Sequence, residues 1–329
     1  MNPAAEKDLI PVTILTGFLG AGKTTLLNRI LSENHGEKIA VIENEFGETG
    51  IDNEILVRDR EEQIVEMNNG CLCCTVRGDL VKILGDLGSK RKQGKLKFDR
   101  VIIETTGLAN PGPVAQTFFM DEGIHEQYLL DAVLTVVDAK HGQATLDEND
   151  EARAQVGFAD RILLSKTDLV ATGETQALMD RLRQMNPRAH QKKVHFGETD
   201  IKEIIDIRGF NLNAVLELDP AFLTDSHHHH DDDVQSFVWK DSRPLNMEKI
   251  ETFLSLMVQN YGADLLRYKG VLNVQGEPRR MIFQGVHMLM GGTPGKPWSP
   301  GETRESVMVF IGRRIPRKLF EEGLAYCVA

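Results

Sequence analysis

Short, near-continuous apolar runs punctuate the first two thirds of the chain, at residues 12–15, 39–42, 101–103, 133–137 and 162–164. Runs of this length, rich in Val and Ile, are what parallel strands show when both faces of their sheet are covered. Between them apolar positions recur at helical spacing, over 24–32, 80–87, 113–119, 152–158 and 176–185. This β-α alternation predicts a doubly wound, mostly parallel sheet of the α/β class, whose ligands sit beyond the carboxyl ends of the strands. Around 211–233 the alternation stops. The segment ends in His227-His228-His229-His230-Asp231-Asp232-Asp233, which has no core-forming pattern and predicts an exposed linker. Beyond it, 234–239, 270–274, 280–286 and 306–311 read as strands, and 247–259 and 316–324 as helices. The predicted organisation is a large α/β domain over 1–215, a His/Asp-rich linker over 216–233, and a smaller α+β domain over 234–329 with antiparallel strands.

Composition narrows the field of partners. A chain of 329 residues suits two domains, and 41% hydrophobic against 26% charged residues permits a sizeable core. The net charge of -11 argues against nucleic acid or an anionic membrane as the main partner, since both need a basic face. Residues 1–9 carry neither the cationic region nor the apolar run of a signal peptide, and no stretch approaches the ~18–20 apolar residues of a membrane helix. The expected location is the cytoplasm. There the clustering of Cys71, Cys73 and Cys74, apart from Cys327, reads as metal or redox chemistry rather than a disulfide framework.

Candidate chemistry begins directly after the first strand. Gly17-Phe18-Leu19-Gly20-Ala21-Gly22-Lys23-Thr24 has the phosphate-loop spacing, with a strand before it and a helix after it. Gly17, Gly20, Ala21 and Gly22 let backbone N–H groups close on phosphate oxygens. Lys23 reaches the β/γ-phosphates, Thr24 offers its hydroxyl to Mg²⁺, and Thr25 is a candidate contact for the α-phosphate. The run 101–103 then leads into Glu104-Thr105-Thr106-Gly107, where Glu104 would hold Mg²⁺ through a water and the Gly107 N–H would meet the γ-phosphate. Ser165-Lys166-Thr167-Asp168 follows the fifth of the predicted strands and is like the Asn-Lys-x-Asp guanine motif. Its Asp168 carboxylate would accept from the guanine N1–H and 2-amino group, Lys166 would lay its stem over the base, and Ser165 in place of Asn predicts a weakened brace for the loop.

Cys71-Leu72-Cys73-Cys74 follows Asn69-Gly70 and precedes a helix. Neighbouring thiolates at a helix start suit Zn²⁺ or another borderline cation, with one tetrahedral position left for a carboxylate, a His or water. Glu43-Asn44-Glu45-Phe46-Gly47-Glu48 follows the second strand, where P-loop GTPases keep a γ-phosphate sensor. Glu43 and Glu48 are the candidates there, for orienting the attacking water or completing the metal site; a solvated loop carboxylate is the plain alternative for each. His125 reads as ordinary surface, and His227–His230 as a linker able to collect metal ions loosely.

Taken together, Thr16 to Thr25, Glu43 to Gly47, the Cys-x-Cys-Cys run and Glu104 to Gly107 resemble the CobW-like P-loop GTPases, relatives of the nickel-insertion GTPases of urease and hydrogenase assembly. Arg267-Tyr268-Lys269-Gly270 and the hairpin after it look like that family's C-terminal domain. The resemblance implies Mg²⁺-dependent GTP hydrolysis, zinc or a related metal at the Cys-x-Cys-Cys site, and metallochaperone work toward a client metalloprotein. No arginine finger is assignable, so slow intrinsic turnover is expected. A homodimer stays open. The competing class is a metal-binding or storage protein with a vestigial nucleotide site, its His/Asp tract doing the work. A small-molecule kinase is a third reading, without an evident acceptor pocket.

Overall fold

The strand β1 (Ile10–Gly17) is buried along nearly its whole length, between two equally apolar strands, β5 (Arg100–Glu104) and β6 (Tyr128–Asp138). Both pair with it in parallel, which sets Leu15 level with Glu104 on one side and Leu134 on the other. The sheet continues outward through β2 (Ile39–Asn44), β4 (Glu62–Met67) and β3 (Leu56–Arg58) on one flank, and β7 (Arg161–Ser165) and β8 (His190–Lys193) on the other. Its order is β3-β4-β2-β5-β1-β6-β7-β8, and every pairing except β3 with β4 is parallel. This computed structural model describes residues 9–33, 36–44, 56–58, 62–67, 75–195, 197, 204–205, 207, 234–299 and 301–329.

Helices α1 (Lys23–Ser32), α2 (Thr75–Lys92), α3 (Gly112–Met120), α4 (Glu122–His125), α5 (Gly142–Glu148), α6 (Asp150–Phe158) and α7 (Thr172–Met185) lie between strands in the sequence, as parallel crossovers require. Leu26, Leu27 and Ile30 of α1 bury against Leu15, Val41, Ile102 and Leu134 of the sheet, so the helix that follows the phosphate loop is anchored by its apolar stripe. Deeper in the sheet Arg100 and Asp131, each 2% exposed, form an ion pair at 2.8 Å to which Thr13 also donates. Buried charges persist when paired and hydrogen-bonded in this way.

The chain divides into two compact units, 1–180 with 189–208, and 181–188 with 209–329. The second carries a five-stranded sheet in the order β12-β11-β10-β13-β9, formed by β9 (Val234–Asp241), β10 (Leu265–Leu272), β11 (Arg279–Val286), β12 (Leu289–Pro297) and β13 (Ser306–Arg313). All its pairings are antiparallel, as expected. Helices α8 (Met247–Tyr261) and α9 (Arg317–Tyr326) pack on it, and the fully buried Phe320 meets the rings of Phe237, Phe253, Tyr261 and Phe310. The expected strand over 270–274 is corrected to Leu265–Leu272: Arg267 and Lys269 break the apolar pattern in the sequence, yet both are buried in the strand. The linker 216–233 lies outside the described residues. Among the described residues no helix is long and apolar enough to cross a membrane.

Candidate functional site

Glycines open the site at the carboxyl end of β1. Gly17 has φ 144°, and a Cβ there would stand 2.3 Å from the Val136 carbonyl oxygen of the neighbouring strand. No side chain fits without moving backbone. Gly20 and Gly22 also take positive φ, at 71° and 102°, and Gly22 forms the N-cap of α1. The first-turn N–H groups of that helix therefore face outward at its positive end, ready for an anion. A Gly17→Ala variant is expected to lose nucleotide binding, because the loop must distort to admit the methyl group; undiminished binding of a fluorescent guanine nucleotide would refute this.

Lys23 is the first residue of α1, and its Nζ donates to the carbonyl oxygens of Gly17 at 2.9 Å and Phe18 at 3.3 Å. Its amine is buried, which lowers its pKa from the ordinary lysine value, while the Glu104 carboxylate pulls the other way. Thr24 Oγ1 donates to Glu104 Oε1 at 3.1 Å, so the hydroxyl and carboxylate predicted to share an ion converge across 80 positions of sequence. Thr105 Oγ1 donates to Thr16 Oγ1 at 2.8 Å, locking the ends of β5 and β1 together. Gly107 passes so close to the phosphate loop that a Cβ on it would lie 2.6 Å from the Leu19 nitrogen. Gln155 of α6 holds that loop from behind, its Nε2 donating at 3.0 Å to both the Gly107 and Ala109 carbonyls. Nothing in the sequence distinguishes Gln155 from other polar positions of its helix.

A cavity of about 280 Å³ lies beside α1, lined by Ala21, Gly22, Thr25, Ser165, Asp168 and Val194 among others. Ser165 ends β7 and donates from Oγ to the Ala21 carbonyl at 2.6 Å. Ser in place of Asn therefore still braces the phosphate loop, its short side chain reaching the Ala21 carbonyl from the end of β7. Lys166 adopts a left-handed φ of 56°, and its Nζ donates to the Gly20 carbonyl and to Asp138 Oδ2, both at 2.8 Å. Asp168 is 43% exposed, with the His195 Nδ1 at 3.5 Å from its Oδ1. Asp138 was not among the expected residues; its signal is the acid that closes the apolar run of β6, as Glu104 closes β5.

Glu43 falls near the end of β2, opposite Glu104 in β5 and Glu66 in β4. Glu48, Cys71, Cys73 and Cys74 lie outside the described residues, as does His227–His230. Among the described residues no three His, Cys, Asp or Glu side chains are placed to hold a metal ion. His125, expected as plain surface, is half-buried, with its Nδ1 at 3.3 Å from the Phe118 carbonyl.

A phosphate loop on a parallel sheet, an acid facing its Thr, and a Ser-Lys-x-Asp loop bonded to it define a P-loop nucleotide-binding protein. Residues 11–193 match the family model of the CobW/HypB/UreG nucleotide-binding domain, and residues 234–328 match the cobalamin synthesis protein cobW C-terminal domain. The chain belongs to the CobW/HypB/UreG family. It is 43% identical over 328 residues to the zinc chaperone YjiA of Escherichia coli K12, covering 99% of both chains. It is 34% identical over 318 residues to the zinc-regulated GTPase metalloprotein activator 1 of Schizosaccharomyces pombe, covering 85% of this chain and 75% of that one. The crystal structure of Zn(II)-bound YjiA GTPase from E. coli superposes with a TM-score of 0.78 at 36% identity, over 98% of this chain and 99% of the other.

Proposed function

We propose that this chain couples GTP hydrolysis to the delivery of a divalent transition metal, zinc in the first instance, to a client metalloprotein in the reducing cytoplasm. As a member of its family it is a GTPase. The observation that supports the nucleotide half of this reading is the pair of hydrogen bonds from Ser165 and Lys166 to the phosphate loop, which brings the Ser-Lys-x-Asp loop and the phosphate loop to the rim of one cavity. A vestigial site would have no need to keep both.

In this mechanism the N–H groups of Gly20 to Thr25 and the Lys23 ammonium receive the phosphates, and Lys23 exchanges its two carbonyl partners for phosphate oxygens. Thr24 and Glu104 present a hydroxyl and a carboxylate 3.1 Å apart, a hard-oxygen pair that fits Mg²⁺. When bound, that ion offsets negative charge on the transferring phosphoryl group. The Gly107 N–H meets the γ-phosphate, held there by Gln155. Glu43 or Glu48 orients the attacking water. Asp168 accepts from the guanine N1–H and 2-amino group, while Lys166 covers one face of the base. Cys71, Cys73 and Cys74, with Glu43 or Glu48, hold the cargo metal; three thiolates and a carboxylate make a four-coordinate site of the kind zinc takes.

Phosphate release from GTP and from ATP, each with and without zinc, tests this reading, which requires GTP to be strongly preferred. Asp168→Asn is expected to weaken discrimination for GTP over XTP by about 5- to 150-fold, the cost of ~1–3 kcal/mol for a polar group left without its partner. An unaltered preference would remove Ser165–Asp168 from base recognition.

A further inference from the structure

Lys166 stands between two cavities. One is the base cavity described above. The other, of about 330 Å³, is lined by Phe18, Thr135, Asp138, His141 and Gln155 among others, and Lys166, Ala21 and Val136 line both. With a cavity of that size behind it, a flexible four-carbon side chain is not located by packing, and its ammonium goes where its hydrogen bonds take it. Those bonds are the Gly20 carbonyl and Asp138 Oδ2. The Lys166 backbone is also left-handed, a conformation unfavourable for a residue with a Cβ and maintained by its surroundings.

Asp138 is itself held on every side. The Lys140 N–H donates to its Oδ1 at 2.8 Å and the His141 N–H at 3.3 Å, while the His141 imidazole Nδ1 lies 2.9 Å from its Oδ2. Burial works against ionisation, but the hydrogen bonds from His141, Lys166 and the Lys140 N–H outweigh it and keep the carboxyl below its usual range. The acceptor for Lys166 is thus a fixed carboxylate on the rim of the second cavity.

We propose that Asp138 is a positioning residue for guanine recognition: it holds the Lys166 ammonium against the phosphate loop, so that the lysine stem is already laid out as one wall of the base cavity before nucleotide arrives. This rests on the reading of Ser165–Asp168 as the base loop. Without Asp138 only the Gly20 carbonyl holds the ammonium, the lysine spends part of its time turned into the second cavity, and base binding must draw it back. The contribution is preorganisation, and it acts wholly through Lys166.

A double-mutant cycle on the full chain tests this, with the dissociation constants of GTP and XTP measured in Mg²⁺ for Asp138→Asn, Lys166→Ala, the double variant and Asp168→Asn. Asp138→Asn is nearly isosteric and keeps an oxygen for the Lys140 N–H, and its thermal midpoint checks the fold. The expected result is about tenfold weaker GTP binding, the scale of one charge-assisted hydrogen bond, shrinking to less than about twofold in the Lys166→Ala background. Equal losses in both backgrounds, or no loss in Asp138→Asn while Lys166→Ala and Asp168→Asn are both impaired, would overturn the positioning role alone. GTP binding and GTP/XTP preference unchanged in Lys166→Ala and Asp168→Asn would instead overturn the base-loop reading, and this inference with it. A fold-destabilised Asp138→Asn is replaced by Asp138→Ser in the same cycle, judged by the same coupling.

Discussion

Lys23→Ala is expected to lower kcat for GTP by at least ~10²–10³-fold, the range found when one preorganised stabiliser of developing charge is removed. The geometry explains why a single ammonium matters so much. It is the first residue of α1, buried beneath the loop, and already desolvated. A charge in that setting needs little solvent reorganisation as the γ-phosphoryl group departs, and it acts in a medium that screens it less than water does. The fold should persist, because the hydrogen bonds of Lys23 run to carbonyls of its own loop and the core stripe of α1 is made by Leu26, Leu27 and Ile30. Loss of about 1 kcal/mol would lower the melting midpoint by about 2–4 °C in a domain of this size. Single-turnover phosphate release, read beside a thermal melt, checks both halves. Turnover within tenfold of the wild type would show that the phosphate loop does not carry the reaction.

Metal and nucleotide affinities are expected to be linked, with zinc bound more tightly in the presence of a non-hydrolysable GTP analogue than with GDP. The topology provides the route. β2 and β4 are adjacent and parallel, ending side by side with Asn44 opposite Met67, and Glu43 stands level with Glu104 across the β2–β5 pairing. The chain toward Glu48 and the chain toward Cys71 therefore leave neighbouring strand ends, next to the carboxylate that faces Thr24. If γ-phosphate selects one arrangement of these segments and the metal selects the same one, each ligand must strengthen the other equally. A coupling of ~1–3 kcal/mol changes zinc affinity by about 5- to 150-fold between the two nucleotide states. Replacing Cys73 or Cys74 by Ser should abolish both the tight site and the linkage while leaving GTP binding in place. Competition titrations with a zinc chelator that give one affinity in both states would sink the switch, whatever the separate activities.

Much of the site was legible because it is written in short-range spacing. The strand, glycines, Lys23-Thr24 and following helix occupy contiguous positions, and the positive φ values of Gly17, Gly20 and Gly22 are what that spacing requires. The apolar runs of β1, β5, β6 and β7 were readable for the same reason: both faces of these strands are covered, so within the runs only the buried Thr13 and Thr135 depart from the apolar pattern. The edge strands β3 and β8 were not readable. Their sequences, Leu-Val-Arg and His-Gln-Lys-Lys, are too short or too polar to carry a period.

The sequence by itself therefore determined the class of fold, the phosphate loop, the acid that ends β5 and the Ser-Lys-x-Asp loop that follows β7. Each depends on a residue and its immediate neighbours, whose backbone demands and burial leave a local pattern. The tertiary structure decided which groups meet: Ser165 with Ala21 across 144 positions, Thr24 with Glu104 across 80, Gln155 with Gly107 across 48, and Lys166 with Asp138 across 28. Hydrophobic periodicity reports that a position is covered and never by what. A polar side chain that reaches across the carboxyl ends of a parallel sheet obeys no period at all, and its partner is chosen by the order in which the strands are laid side by side.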